Sequence, residues 1–288
     1  MRATSAYVLS LEQVNGGQVD TAGGKGASLG ELIQAGFAVP KGFVVMRSAF
    51  DAFLAGIDGG SGLAGLLPQL GQPEIEVQPL VEKIASIVEQ GSMPDAVADE
   101  IFAAYHELKL NYVAVRSSST TEDGANTAWA GQLETYLNVS EDTLLDKVRA
   151  CWLSAFSHRS LSYAAAHQAD GSGVGVAVVI QEMVPSSLSG IGFSVHPVTQ
   201  QHNIHLIEAC FGLGEAIVSG QVSPDLFLVE RDSGRLTEHT IGQQKKALIL
   251  DPGMPEPEWR ELGDLGAKPK LTDDQAQEYA GILQRIEA

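Results

Sequence analysis

The chain has 288 residues, 44% of them apolar, enough to bury a full core in one large domain or two lobes. Its 36 acidic residues against 18 basic ones give a formal net charge of −18, which argues against non-specific binding to nucleic acid or an anionic membrane. No run approaches the ~18 apolar residues of a membrane span, and no signal-type segment follows Met1, so a cytoplasmic protein is expected. Cys151 and Cys210 lie in apolar stretches without metal spacing and read as buried free thiols.

In chain order, Tyr7-Val8-Leu9 predicts a short strand. Thr21 to Gly26 is a glycine loop opening a helix with Leu29, Leu32 and Ile33 on one face and Gly36 as its stop. Lys25 then sits at a helix N-terminus, where its charge opposes the macrodipole unless an anion is shared between them. Residues 42–46 read as a buried strand, and Ser48 as the cap of a short helix. Glycines spread over 56–73 indicate a surface connection, followed by two amphipathic helices, one with Leu80, Ile84 and Val88, the other with Val97, Ile101 and Tyr105.

The segment from Tyr112 to Leu137 reads as strand, loop, strand. Arg116 at a strand end offers a planar fork of donors suited to phosphate oxygens, with hydroxyls from Ser117 to Thr121 beside it and Gly124 and Gly131 in the loop. A solvated hairpin with a surface arginine fits the same residues, and composition does not choose between the two. Ser140 predicts a helix start, and Val174 to Ile180 a strand buried on both faces. That strand stops at Gln181-Glu182-Met183-Val184-Pro185, an ordinary strand end or a hinge whose freed backbone groups would meet a heterocyclic base.

The second half is β-rich, with strands expected at 192–196, 204–210, 226–230 and 236–241 and a hairpin turn at Asp232-Ser233-Gly234. Glu208 and Glu215 flank the glycines of Phe211-Gly212-Leu213-Gly214 and suit a ribose, a metal or plain solvent. Residues 251–270 read as an extended loop, and Thr272 as the cap of a last helix with Asp273 and Asp274 in its first turn. The seven histidines show no metal or triad spacing.

Five segments together, TAGGKGASLGEL (21–32), VAVRSSSTTED (113–123), WAGQLETYLNV (129–139), SGIGFSVHPVT (189–199) and EACFGLGEAIVSGQVSPD (208–225), carry a family resemblance. The chain resembles the N-terminal nucleotide-binding domain of the phosphoenolpyruvate synthase, pyruvate phosphate dikinase and rifampicin phosphotransferase family. The resemblance implies an α+β ATP-grasp fold of two lobes, 1–184 and 185–288, clasping ATP, with magnesium as metal cofactor. Carried over residue by residue, it implies phosphate contacts at Lys25 and Arg116 and a glycine-rich lid from Thr120 to Gly131. Gly131 and Thr135 would touch nucleotide, Gln181, Glu182 and Val184 would border the adenine, and Glu215 matches an acid of the family's GLGE motif.

In that family ATP passes a phosphoryl group to a histidine on a separate domain and then to an acceptor such as pyruvate, a phenol-like hydroxyl or an antibiotic, leaving AMP and phosphate. The histidine domain, the acceptor domain and a metal-binding strand with a PQDIEW-like motif have no counterpart in these 288 residues. The resemblance therefore implies an ATP-dependent phosphotransferase that works as part of a larger enzyme, with this chain inactive alone. A homodimer through the sheet edge left open is a further expectation. The competing reading, from a different class, is a nucleotide-binding regulatory subunit without turnover.

Overall fold

The structure is a computed structural model and describes residues 6–57, 61–69, 72, 76–120, 134–158, 160–162 and 175–288. The chain divides into two compact units, Met1–Met183 and Val184–Ala288.

The first unit is built on a five-stranded antiparallel sheet. Its strands are β1 (Val8–Ser10), β2 (Gly42–Val45), β3 (Val113–Ser119), β4 (Thr135–Val139) and β5 (Val176–Glu182), in the spatial order β1-β2-β5-β3-β4. The β-branched run of β5 makes it the central strand, buried at every position but the last. Alternation then divides its side chains between two cores. Val176, Val178 and Ile180 join a large cluster with Phe50, Phe53, Leu144 and Trp152, whereas Ala177 and Val179 join a small one with Leu11, Val14, Ala22 and Val44.

Helix α1 (Val19–Gln34) covers the small-cluster face. The large cluster is filled from α2 (Arg47–Gly56), α4 (Val77–Glu89), α5 (Asp95–Glu107) and α6 (Glu141–Ser154). Full burial of Phe50 and Phe53 contributes roughly 1.5–3 kcal/mol each. Helix α3 (Ser61–Leu66) stands where a bare surface connection was expected, because Leu63 reaches the large core. Ser48 does not cap α2. Met46 occupies that position and the Ser48 hydroxyl donates to the Ala6 carbonyl at 2.7 Å.

The second unit has a four-stranded antiparallel sheet in sequential order: β6 (Leu188–Phe193), β7 (Ile204–Phe211), β8 (Asp225–Glu230) and β9 (Leu236–Thr240). A short helix, α7 (Glu215–Val218), follows β7. The last helix, α8 (Asp273–Glu287), starts from a reciprocal cap between Thr272 and Gln275 and lays Ala276 and Ala280 on Ile207, Ala209, Phe227 and Val229. The stretch 251–270 is not one extended loop. A hairpin of β10 (Lys246–Ile249) and β11 (Glu258–Glu261) occupies part of it, followed by a 3-10 turn at Gly263–Ala267.

Beneath that turn Lys270 and Asp225, both fully buried, pair at 3.0 Å. The Lys270 ammonium also donates to the carbonyls of Gly242 and Gly266, at 2.6 and 3.0 Å. Asp225 accepts from the backbone N–H of Gly242 and of Lys270, at 2.9 and 2.7 Å. Both charges are thus surrounded by polar partners, the condition under which a buried pair is tolerated.

Candidate functional site

The glycine segment of α1 is not a separate loop before a helix. The helix already runs from Val19 and breaks at a single residue, Gly23, with φ 71° and ψ 165°. A Cβ there would lie 2.2 Å from Ser118 Oγ and 2.6 Å from the Ser118 carbonyl oxygen, so only glycine lets the helix lie this close to β3. The Ser118 hydroxyl in turn accepts from the Gly26 N–H at 3.3 Å. Lys25, half-buried, therefore stands in the first turn after the break, held against the end of β3. Its charge opposes the dipole of the segment it begins.

Arg116 is not at a strand end, since Ser117, Ser118 and Ser119 continue β3 in register with β5, and that register places Arg116 on the same face. It lies between Val179 on β5 and Thr135 on β4, and Val179 belongs to the small core beneath α1. Ser118, two residues on, is the residue that α1 rests upon. Burial pushes the Cys151 thiol up to about 12, with the Glu134 charge adding, while the Ser117 backbone and the Lys25 ammonium pull it back. Cys151 lies against the Glu134 carbonyl, which also accepts from Ser117 N–H and Ser117 Oγ.

The face continues in both directions along β5. Toward the end of the unit, Gln181 pairs in register with Ala114 and Gly42, is buried, and donates from Nε2 to the Pro40 carbonyl at 3.1 Å. In the other direction, Thr120 donates to the Gly175 carbonyl from both its N–H and its hydroxyl, each at 3.1 Å. From Gln181 to Gly175 the strand spans about 20 Å at ~3.3 Å per residue. One face thus carries, in order, Gln181, Arg116 beside Thr135, Ser118 under the α1 glycines, and Thr120.

The expected hinge differs from this structure. Gln181 and Glu182 are the last residues of β5 rather than loop. The N–H of Glu182 donates to the Lys41 carbonyl at 2.9 Å and that of Met183 to the Tyr112 carbonyl at 3.0 Å, so neither is freed by the strand end. The Glu182 carboxylate lies 3.7 Å from Lys41. Val184, half exposed, accepts from the Ser186 N–H. Gly131 and the lid beyond Thr120 lie outside the described residues.

In the second unit Glu215 is the exposed first residue of α7, its backbone carbonyl accepting from Ser219. Glu208 sits in mid-strand between Ile191 and Leu226, on the face of the sheet away from α8. A separate cleft of about 370 Å³ in this unit is lined by Gln221, Ser223, Lys245, Lys246 and Glu261 and contains none of the expected residues. Among the described residues no three His, Cys, Asp or Glu side chains gather as a metal cradle, and no helix is long and apolar enough to cross a membrane.

Residues 19–288 match the family described as pyruvate phosphate dikinase, AMP/ATP-binding domain. The chain belongs to that family. It is 39% identical over 255 residues to a probable phosphoenolpyruvate synthase of Methanothermobacter thermautotrophicus, covering 86% of this chain and 37% of that protein. It is 41% identical over 253 residues to a probable phosphoenolpyruvate synthase of Archaeoglobus fulgidus, covering 85% of this chain and 34% of that protein. With the phosphoenolpyruvate synthase of Pyrococcus furiosus the match is 34% identical over 333 residues, 98% of this chain and 40% of that protein. The chain thus spans between a third and two fifths of the length of these relatives. Membership makes it an AMP/ATP-binding domain, and the face with Lys25 and Arg116 is where its sequence places cations beside glycines.

Proposed function

We propose that this chain is the ATP-grasp nucleotide-binding part of a phosphotransferase. In this reading ATP gives a phosphoryl group to a histidine on a domain or subunit outside the chain, and the group passes on to an acceptor such as pyruvate, leaving AMP and phosphate. The observation that carries it is the convergence of the α1 glycine break and Arg116 on one face of one sheet, in a chain of the AMP/ATP-binding family.

The adenine would lie by Gln181, Glu182 and Val184, and Thr135 would flank the phosphates beside Arg116. The two cations act on charge: Arg116 offers paired N–H donors to phosphate oxygens, and Lys25 adds a point charge at a helix start where an anion satisfies ammonium and dipole together. Donors fixed in advance by β3 and α1 stabilise negative charge that shifts during transfer without having to reorganise. Magnesium takes one or two carboxylates plus phosphate oxygens. Among the described residues no three His, Cys, Asp or Glu side chains gather into a metal cluster.

Calorimetric titration of ATP into the wild-type chain, Lys25→Gln and Arg116→Ala tests the reading. Arg116→Ala is expected to weaken binding by about 1.5–3 kcal/mol, the range for a charge-assisted hydrogen bond. Unaltered ATP affinity in both variants would overturn the site. Mixing with a histidine-bearing domain should release AMP, and its absence with ATP bound would favour a regulatory nucleotide subunit instead.

A further inference from the structure

We propose that Arg47 is a third phosphate-binding cation of this face, placed to grip the terminal phosphate of a nucleoside triphosphate. The inference rests on the nucleotide reading above and adds a residue that none of the motifs contains. Arg47 is the first residue of α2, separated from β2 by Met46 alone, and most of α2 packs into the large core on the opposite side of the sheet. Its guanidinium does not follow the rest of the helix. A Cβ built on Gly175 would lie 3.0 Å from Arg47 Nε, 3.1 Å from its Cδ and 2.3 Å from Thr120 Oγ1.

Gly175 precedes β5 by one residue and alternates with Ala177 and Val179, the two that face α1. Thr120 alternates likewise with Ser118 and Arg116. The Arg47 side chain is therefore wrapped around the sheet end onto the face that carries Lys25 and Arg116, and a side chain at Gly175 would block it. It occupies the end of the row farthest from Gln181. With the base at Gln181 and inner phosphates at Arg116 and Lys25, the Thr120 end is where a triphosphate terminates.

Two features of Arg47 fit an anion better than a structural role. A cation at the first residue of a helix opposes the macrodipole, as Lys25 does, and both charges are offset by an anion placed between them. Its ion pair within the protein is also weak: Asp51, one turn along α2, lies 3.7 Å from Nε, with both side chains partly in solvent. That pair does not use the Nη edge, whose parallel donors match two phosphate oxygens. The setting sharpens the argument, because in a chain of net charge −18 a third cation on one sheet face runs against the overall field.

The test is titration of ATP, ADP and AMP into the wild-type chain, Arg47→Gln, Arg47→Lys and Arg116→Ala. Arg47→Gln is expected to lower ATP affinity about tenfold or more, ADP affinity less, and AMP affinity within about twofold. Arg47→Lys should recover part of the ATP affinity by keeping the charge while losing the fork. Wild-type ATP affinity in Arg47→Gln, beside a loss in Arg116→Ala, would overturn the proposal and leave the nucleotide site standing. Equal losses for ATP and AMP would also overturn it, since they would mark Arg47 as a support of the fold. A wild-type chain that binds no nucleotide would instead bring down the nucleotide reading, and this inference with it. Should Arg47→Gln not fold, Arg47→Lys decides: an unchanged ratio of ATP to AMP affinity overturns the assignment.

Discussion

The two units handle positive charge in opposite ways. In the first, Lys25 and Arg116 are half-buried at one face of the sheet, among glycines and hydroxyls that bring backbone close to them. In the second, Lys270 is wholly buried, and a carboxylate with two backbone carbonyls occupies its ammonium. A cation that the fold has closed over and satisfied is a structural member. One that stays half-buried beside glycines, which carry no side chain to crowd it, has room for a ligand as well. The sheets differ in the same sense. β5 is apolar on both sides because helices cover both its faces, whereas the second unit's sheet has α8 against one face, so β8 alternates buried and part-exposed residues.

The contrast breaks most visibly at Lys270. Lys270→Met leaves Asp225 buried without its counter-charge, although the two backbone N–H bonds remain. The expected loss is about 3 kcal/mol or somewhat more in the stability of the second unit. Calorimetric melting of the chain should show the transition of the second unit falling while that of the first stays in place. A wild-type melting profile for Lys270→Met would mean that the pair contributes nothing net and that this unit holds through its apolar core alone.

Gly23→Ala probes the other side of the comparison, with a smaller effect on stability and a larger one on function. The φ of 71° is unfavourable for alanine, and its Cβ would meet the Ser118 carbonyl, so α1 must lift from β3. The stability of the first unit should fall by about 1–3 kcal/mol, as for overpacking at a close contact. Because Lys25 is two residues away, ATP affinity should fall with it. A destabilised variant with wild-type ATP affinity would separate the glycine break from the phosphate site.

The sequence made the elements legible where a single period dominates. Val176 to Ile180 could only be a doubly covered strand, and Thr272 with Asp273 and Asp274 announced the last helix. It misled where two signals coincide. The glycines at 23, 24 and 26 read as a loop, yet only Gly23 leaves the helical region, since a helix tolerates glycine when close packing needs it. The hairpin of β10 and β11 was hidden by the prolines and glycines of its long connection, and its exposed strand Glu258–Glu261 has no apolar alternation to read. Of the site, Lys25 and Arg116 were visible as bases beside glycine and hydroxyl residues. Arg47 was not, because its role depends on the vacancy at Gly175, far away in the chain. Ser118 likewise read as one hydroxyl among several until the fold set it beneath Gly23 and Gly26.

The smallest effect lies at His205, where the second unit carries a titratable group that its burial keeps neutral. His205 alternates with Ile207 and Ala209 on the face covered by α8, is almost fully buried, and has no hydrogen-bond partner on either ring nitrogen. Burial lowers its pKa below 6.5, the Arg231 charge lowers it further, and Glu287 opposes both. Arg231 is itself engaged, donating to the Ser194 carbonyl at 3.0 Å and pairing with Glu287 on α8. With the folded value depressed, the unfolded chain binds the proton more readily below about pH 6.5. Stability is therefore complete above that value and falls as pH drops below it. His205→Leu removes this term, so the second unit of the variant should lose less stability between pH 7.5 and 5.5 than the wild type does. Carboxylates titrate in both proteins and cancel in the difference. The first unit, which does not contain His205, provides the internal reference, and its pH dependence should be identical in the two proteins. Parallel curves for the second unit as well would show that His205 takes up its proton within the folded protein at no cost, and that α8 leaves it more room than its burial implies.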